Sequence, residues 1–307
     1  MRSVSEHLDA VLSGVNALEP LEVGVLGSVG CVLAQDVSIS DEGGEHILLG
    51  RGTTIAPRHI ALIAAAGLGR VSVHPKPRVV VVTVGSDLAD PGTSDELRPD
   101  INGVALTSAA TAAGAMTFRV GPLASDEDTI RGAIEDQLVR ADLIVLACGM
   151  NADDYDLIVA VLRSLGKVEF TRVAMQPGGA QGFGVVGPDS TPVLVVPGSP
   201  VGALLSFDIF VRPLIRRLMG HTKLHYRMVD ARLEEAISGS NENTDYIRAA
   251  ITRHVGVPVV RSIEHDEHHP LAGLGTADAL IVLNQGTQSI AAGQMVTVIQ
   301  LDGQGDE

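Results

Sequence analysis

Between residues 77 and 220 the chain alternates runs of β-branched residues with stretches of helical apolar spacing. RVVVVTVG (78–85) is apolar at consecutive positions, as expected of a strand buried on both faces. NGVALTSAATAA (102–113) predicts a helix capped by Asn102 and closed by Gly114, and MTFRVGPL predicts a strand. DEDTIRGAIEDQLVR predicts a helix whose acidic first turn suits the macrodipole. ADLIVLACG reads as a strand, 156–165 as a helix ended by Gly166, VLVVPGSP as a strand, and LLSFDIFVRPLIRRLMG as a helix with basic residues near its C-terminal end. Strand–helix alternation of this kind predicts an α/β fold, a doubly wound and mostly parallel sheet with helices on both faces.

The flanks follow other patterns. Ser3 or Ser5 can cap a helix carrying Leu8, Val11 and Leu12 on one face, ended by Pro20. LEVGVLGSVGCVLAQDVSI supplies a short strand and a second apolar-periodic stretch. DEGGEHILLGRGTT (41–54) is polar and glycine-rich and reads as a turn or linker, and Pro57 to Leu68 reads as a helix. Residues 1–75 are thus expected to form a small, mostly helical module, and 76–221 the α/β domain. After His221 come five short strand candidates, HYRMVDARLEEAI, YIRAAITRH, VPVVRSI, DALIVLN and QMVTVIQL. They predict a C-terminal β-barrel-like domain over 222–307.

Three runs break into turns rich in Gly, Asp or Pro: DLIVLACGMNADDYD, RVAMQPGGAQGFG and PVLVVPGSPVGA. A buried strand cannot hold such residues in its interior, so each strand must end where its turn begins. Ends of this kind can gather on one edge of a parallel sheet, where α/β proteins place ligands. The chain has 307 residues, enough for two or three domains, and is 45% hydrophobic but only 3% aromatic, so Val, Leu, Ile and Ala must build its cores. A net charge of −15 argues against nucleic acid. Cys31 and Cys148 fit no metal spacing, and no metal site is read from the sequence. Met1 leads into polar SVSEHLD, and no apolar stretch has membrane-span length. The expectation is a cytoplasmic protein without direct membrane insertion.

Several ordered motifs resemble the molybdopterin molybdotransferase family, to which the C-terminal part of gephyrin belongs. VVVVTVGSDLADPG resembles the family's strand followed by Thr-Gly-Asp-Glu-Leu and Pro-Gly, and RPDING its Tyr-Asp-Ser-Asn-Gly. ACGMNADDYD stands for Ser-Gly-Gly-Val-Ser-x-Gly-Asp-Tyr-Asp, MQPGGAQGFG for Met-Lys-Pro-Gly-Lys-Pro-x-x-x-Gly, and PGSPVGA for Pro-Gly-Asn-Pro-Val-Ser-Ala. The resemblance continues through MRSVSEHLDAVL and GCVLAQDV near the start and TADALIVLNQGTQSIAAGQMVTVI near the end. It implies a site for molybdopterin or adenylylated molybdopterin with molybdate, with Mg as a possible companion. Asp100 and Asp154 are its candidate catalytic carboxylates. The candidate binding positions are Gly85, Ser86, Asp87, Asn102, Gly149, Asn151, Asp156, Pro177, Gly178, Pro197, Gly198, Ser199 and Pro200. A homodimer and, by the gephyrin precedent, a protein or peptide partner are also implied.

Departures from the motifs shape the functional expectation. The family's β-rich domain with Pro-Phe-Asp-Asn-Ser-Ala-Met-Asp-Gly-Tyr-Ala has no counterpart near residues 40–50. Ser86 replaces an acid, Cys148 a glycine, Asn151 a serine and Asp153 a glycine, while Gln176 and Gly179 replace two lysines. A glycine lets backbone N–H groups approach a phosphate closely. Each lost charged contact is worth roughly 1.5–3 kcal/mol. The chain is therefore expected to be a weak or inactive molybdotransferase, with a non-catalytic, gephyrin-like scaffold as the alternative. Bland readings stand beside the functional ones: Asp100 and Asp154 as helix caps, PGSP as a tight turn, Cys148 as an inert small hydrophobe. His265, His268 and His269 sit in a solvated loop rather than a metal site.

Overall fold

The computed structural model describes residues 1–41, 44–148, 152–252, 256–263 and 271–301. Its central sheet has six strands in the spatial order Gly166–Arg172, Ala180–Val186, Thr191–Val196, Leu143–Cys148, Arg78–Val84 and Met116–Leu123. The last four run parallel, and the two at the opposite edge are antiparallel. The interior strands alternate between two apolar faces. Val79, Val81, Val145, Leu194 and Val196 face the helix Ile101–Ala112 and the long segment from Pro200 to Leu218. Val80, Val82, Ile144, Leu146, Val193 and Val195 face Ile130 and Ile134 of one helix and Ile158 and Leu162 of another. Helices on both faces explain why these strands are continuous apolar runs rather than alternating ones.

Several expectations are corrected. The first 75 residues are not mostly helical and not one module. The helix Val4–Ser13, closed by a capping box between Ser3 and Glu6, ends at Gly14, well before Pro20. It buries His7 and Val11 in the core of the α/β domain, where the His7 ring meets Phe210 edge-on at 4.8 Å. The remainder forms a small mixed unit. Leu21–Gly24, Arg70–His74 and Val32–Leu33 make a three-stranded sheet, and the helix Pro57–Ala65 packs beside it. The stretch read as a linker contains a strand, Gly44–Leu49, paired in a hairpin with Val37–Asp41. Leu33, Val37, Leu49, Ile55, Ile63 and Val73 give this unit its own core.

Two helix starts also shift. The cap of Ile101–Ala112 is Asp100 rather than Asn102, and the helix read from 156 begins at Ala152. Asp154 therefore lies inside the first turn rather than capping it.

The C-terminal region is a closed five-stranded barrel. Met228–Leu233, Val259–Ser262, Thr244–Thr252, Ala279–Leu283 and Met295–Gln300 pair in a ring, because Thr244–Thr252 bonds both Val259–Ser262 and Ala279–Leu283. Closure leaves no ring edge exposed. Ala231, Leu233, Ala249, Val260, Ile281 and Val298 fill the interior. The MQPGG run also departs from expectation. It gives the central sheet no parallel strand; Met175–Gln176 instead pairs with Thr244 and Asp245 of the barrel, tying the two domains together. Among the described residues, no helix is long and apolar enough to cross a membrane.

Candidate functional site

The parallel strands Arg78–Val84, Leu143–Cys148 and Thr191–Val196 end at one edge of the sheet. Gly85 turns the chain out of the first, its N–H donating to Leu123 O at 3.0 Å. Ser86 and Ser125 then cross-bond, each hydroxyl accepting from the other's backbone N–H at 2.8 and 3.1 Å. Asp87 is held by Arg98, whose Nε donates to Oδ2 at 2.9 Å and whose Nη2 reaches the same oxygen. Leu88–Ala89 and Arg98–Pro99 form a short parallel ladder that carries the chain back to Asp100.

Asp100 is 1% exposed. Its Oδ1 accepts from Gly103 N at 2.8 Å, capping the helix, while Oδ2 accepts from Thr83 Oγ1 and Arg119 Nη2, both at 2.7 Å. Gly103 makes room for this. A Cβ there would lie 2.1 Å from Asp100 Oδ2 and 2.7 Å from Arg119 Nε. Arg119 also bonds Asp90. Burial alone would lower the Arg119 pKa, but the Asp100 and Asp90 carboxylates outweigh it and raise it overall.

Asn102 bridges two of the strand-end loops. Its Nδ2 donates to Gly198 O at 2.7 Å, which fixes the amide orientation, and its buried Oδ1 has no hydrogen-bond partner. Ser199 caps the helix Pro200–Ser206 by accepting from Gly202 N. Leu88, Arg98, Asp100, Asn102 and Ser199, with Leu271 from the C-terminal domain, line a cleft of about 280 Å³ that Gly198 and Pro200 complete.

Not every expected residue reaches this cleft. Pro177 and Gly178 lie behind the Pro197–Pro200 turn. Gly178 has φ +89°, and a Cβ on it would come within 3.1 Å of Gly202 O. Gln181, 1% exposed, fastens that loop by donating to Gly178 O and Ser206 Oγ, both at 2.6 Å. Asp154 is buried at the start of its helix, and Asp156 is exposed; neither lines the cleft. Cys148 ends its strand. Gly149, Asn151 and the His265, His268 and His269 loop lie outside the described residues. Among the described residues no cluster of His, Cys, Asp and Glu suits a metal ion.

Sequence reasoning missed Arg98, Arg119 and Gln181. Arg98 opens RPDING, and an arginine just before a strand-end aspartate was the available signal. Chemically the cleft offers the half-exposed Arg98 guanidinium and the turn at Gly198 and Ser199, held in place by Asn102. That set suits an anionic group.

Comparison with known proteins identifies the family. Residues 80–217 match the model of the probable molybdopterin binding domain, and residues 230–301 that of the MoeA C-terminal region, domain IV. The chain is 36% identical to molybdopterin molybdenumtransferase 1 of Mycobacterium tuberculosis over 256 residues, 80% of this chain and 60% of that protein. It is 30% identical to molybdopterin molybdenumtransferase 2 of the same organism over 309 residues, 95% of this chain and 75% of that protein. It thus spans 60% of the first relative's length, less than two thirds. A molybdopterin biosynthesis MoeA protein from Pyrococcus horikosii shares the fold, with TM-score 0.82 at 19% identity over 98% of this chain and 99% of that one. The chain belongs to the molybdopterin molybdenumtransferase family.

Proposed function

We propose that the cleft binds molybdopterin or its adenylylated form, and that transfer of molybdate to it is weak or lost in this chain. The observation carrying the binding half is the Asn102–Gly198 bridge beside Arg98. Arg98 and the turn at Gly198 and Ser199 hold the phosphate, and the Asn102 amide fixes that turn through its bond to Gly198 O. Transfer is weak because the carboxylates around the cleft are already engaged. Asp87, Asp90 and Asp100 each have an arginine partner. Gln176 and Gly179 add no charge, and the Gly179 backbone accepts a side chain poorly, since a Cβ would lie 2.9 Å from Val173 O.

Titration with molybdopterin and complementation of a molybdotransferase-deficient strain test the two halves separately. Gln176 is exposed, so Gln176→Lys is expected to fold without loss of stability. Gly179→Lys should instead lower Tm. Absence of any molybdopterin binding would defeat the first half, and robust rescue by the unaltered chain the second.

A second reading, a scaffold for a protein or peptide partner, is favoured by one feature. A groove of about 480 Å³ runs between Val4 and Leu8 of the first helix, Ile209, and Tyr246 and Ile299 of the barrel. The family's implied homodimer belongs with this proposal. Sedimentation at micromolar concentration should give twice the chain mass; a monodisperse monomer would exclude it.

A further inference from the structure

A second cavity, of about 240 Å³, lies away from the cleft, between the small N-terminal unit and the junction that leads into the barrel. Its walls are cationic in a chain of net charge −15. Arg58 and His59 come from the first turn of the helix Pro57–Ala65, and Arg216, His221 and Lys223 from the end of the helix Arg212–Leu218 and the residues after it. Thr54 adds a hydroxyl. Among the described residues no carboxylate lines the cavity. We propose that this cavity is a binding site for a phosphoryl group, either free phosphate or a small phosphomonoester.

The geometry prepares the site for an anion. The end of a helix ordinarily repels negative charge through its unpaired carbonyls. Here Gly220 N–H donates to Arg217 O at 2.9 Å and His221 N–H to Arg216 O at 3.0 Å, so those carbonyls are occupied. Arg216 is 9% exposed, and its Nε donates to Lys223 O at 2.8 Å, which curls the 216–223 segment around the cavity. His59 Nδ1 lies 3.1 Å from Ala56 N and 3.0 Å from Thr54 O, which fixes the ring and leaves Nε2 for a ligand. Thr54 Oγ1 and His221 Nδ1, 3.4 Å apart, join the two walls. Guanidinium and ammonium groups converging from two units are the recurring chemistry of phosphate recognition. The volume admits one phosphoryl group with a small substituent and falls below the usual size of a drug-like ligand's pocket. A bound anion would cross-link the N-terminal unit to the α/β domain, so it should stabilise the whole chain.

The test is calorimetric titration of the full chain at low ionic strength with inorganic phosphate and, separately, with glycerol phosphate. Arg58 and Lys223 are exposed, so Arg58→Gln and Lys223→Gln should fold. Each is expected to weaken binding about tenfold, the loss of one charge-assisted contact. Tm should rise with ligand in the parent and less in either variant, and added NaCl should weaken binding. Tighter binding of glycerol phosphate than of phosphate would assign a phosphomonoester; the reverse would assign the free ion. Arg98→Gln, in the other cleft, should leave this binding unchanged. The proposal is overturned if neither compound binds at millimolar concentration, or if Arg98→Gln removes binding while Arg58→Gln and Lys223→Gln do not.

Discussion

Asp100→Ala is expected to destabilise the fold by about 2–4 kcal/mol, because it takes a carboxylate from the partly buried Arg119 and leaves a capless helix at once. Arg119 would keep only the half-exposed Asp90, and Thr83 Oγ1 and Gly103 N would lose their acceptor. Denaturant unfolding at pH 7 measures the loss. Asp100→Asn separates the contributions, since the amide oxygen can still cap Gly103 N while the ion pair disappears. It should fall between the parent and Asp100→Ala. If both variants unfold within about 1 kcal/mol of the parent, the carboxylate is not structural, and its candidacy as a catalytic group rises accordingly.

The second large effect is a pair of opposed pH dependences on neighbouring elements. His7 is 1% exposed, both its ring nitrogens lack partners, and burial, helped by Arg2, pushes its pKa down to about 4. The native ring stays neutral while the unfolded chain takes up a proton, so stability falls as the pH drops from about 6.5 to about 4. The effect is up to about 3 kcal/mol, less whatever water reaching the ring screens. Asp208, on the π-helical turn Phe207–Val211, runs the other way. Burial pushes its pKa up to about 7 against the opposing pull of the Tyr226 hydroxyl, 3.2 Å away, and of Arg212. The native carboxyl keeps a proton that the unfolded chain releases, so stability falls as the pH rises from about 4 to about 7, by up to about 4 kcal/mol.

The two windows overlap, and the parent's stability should be nearly flat across them. His7→Leu removes one slope and the cost of an unpartnered buried ring; its stability relative to the parent should rise steadily as the pH is lowered to 4. Asp208→Asn should gain relative to the parent as the pH is raised to 7. Urea midpoints at four pH values between 4.5 and 7.5 give the two difference curves. A flat curve for either variant would show that the residue does not titrate as its burial implies.

The part of the fold legible in the sequence was the part set by local pattern. Val79 to Val84 are β-branched or small at every position, and only a strand covered on both sides accommodates that. The hairpin strand Gly44–Leu49 was read as a linker because only its last two residues are even partly buried, leaving no alternation to detect. The first helix was recognised from its own cap and stripe. Its partner could not be, because an amphipathic face states that something covers it and not what. The site divides the same way. Gly198, Ser199 and Asn102 were found from turn chemistry and family motifs, whereas Arg98 and Arg119 matter only because distant residues bring Asp87, Asp90 and Asp100 against them.

By itself, then, the sequence determined the parallel strands and the helices of the α/β domain, the five barrel strands and the family, because periodicity, turn residues and motif order are properties of neighbours along the chain. Tertiary structure alone decided that the barrel closes through both sides of Thr244–Thr252 and that Met175–Gln176 fastens it to the α/β domain. It also decided that Asp100 is enclosed by a hydroxyl, a guanidinium and a backbone amide, and that Arg58 and Lys223 share one cavity. Those juxtapositions join residues far apart in sequence, and only the packing that buries both partners brings them together.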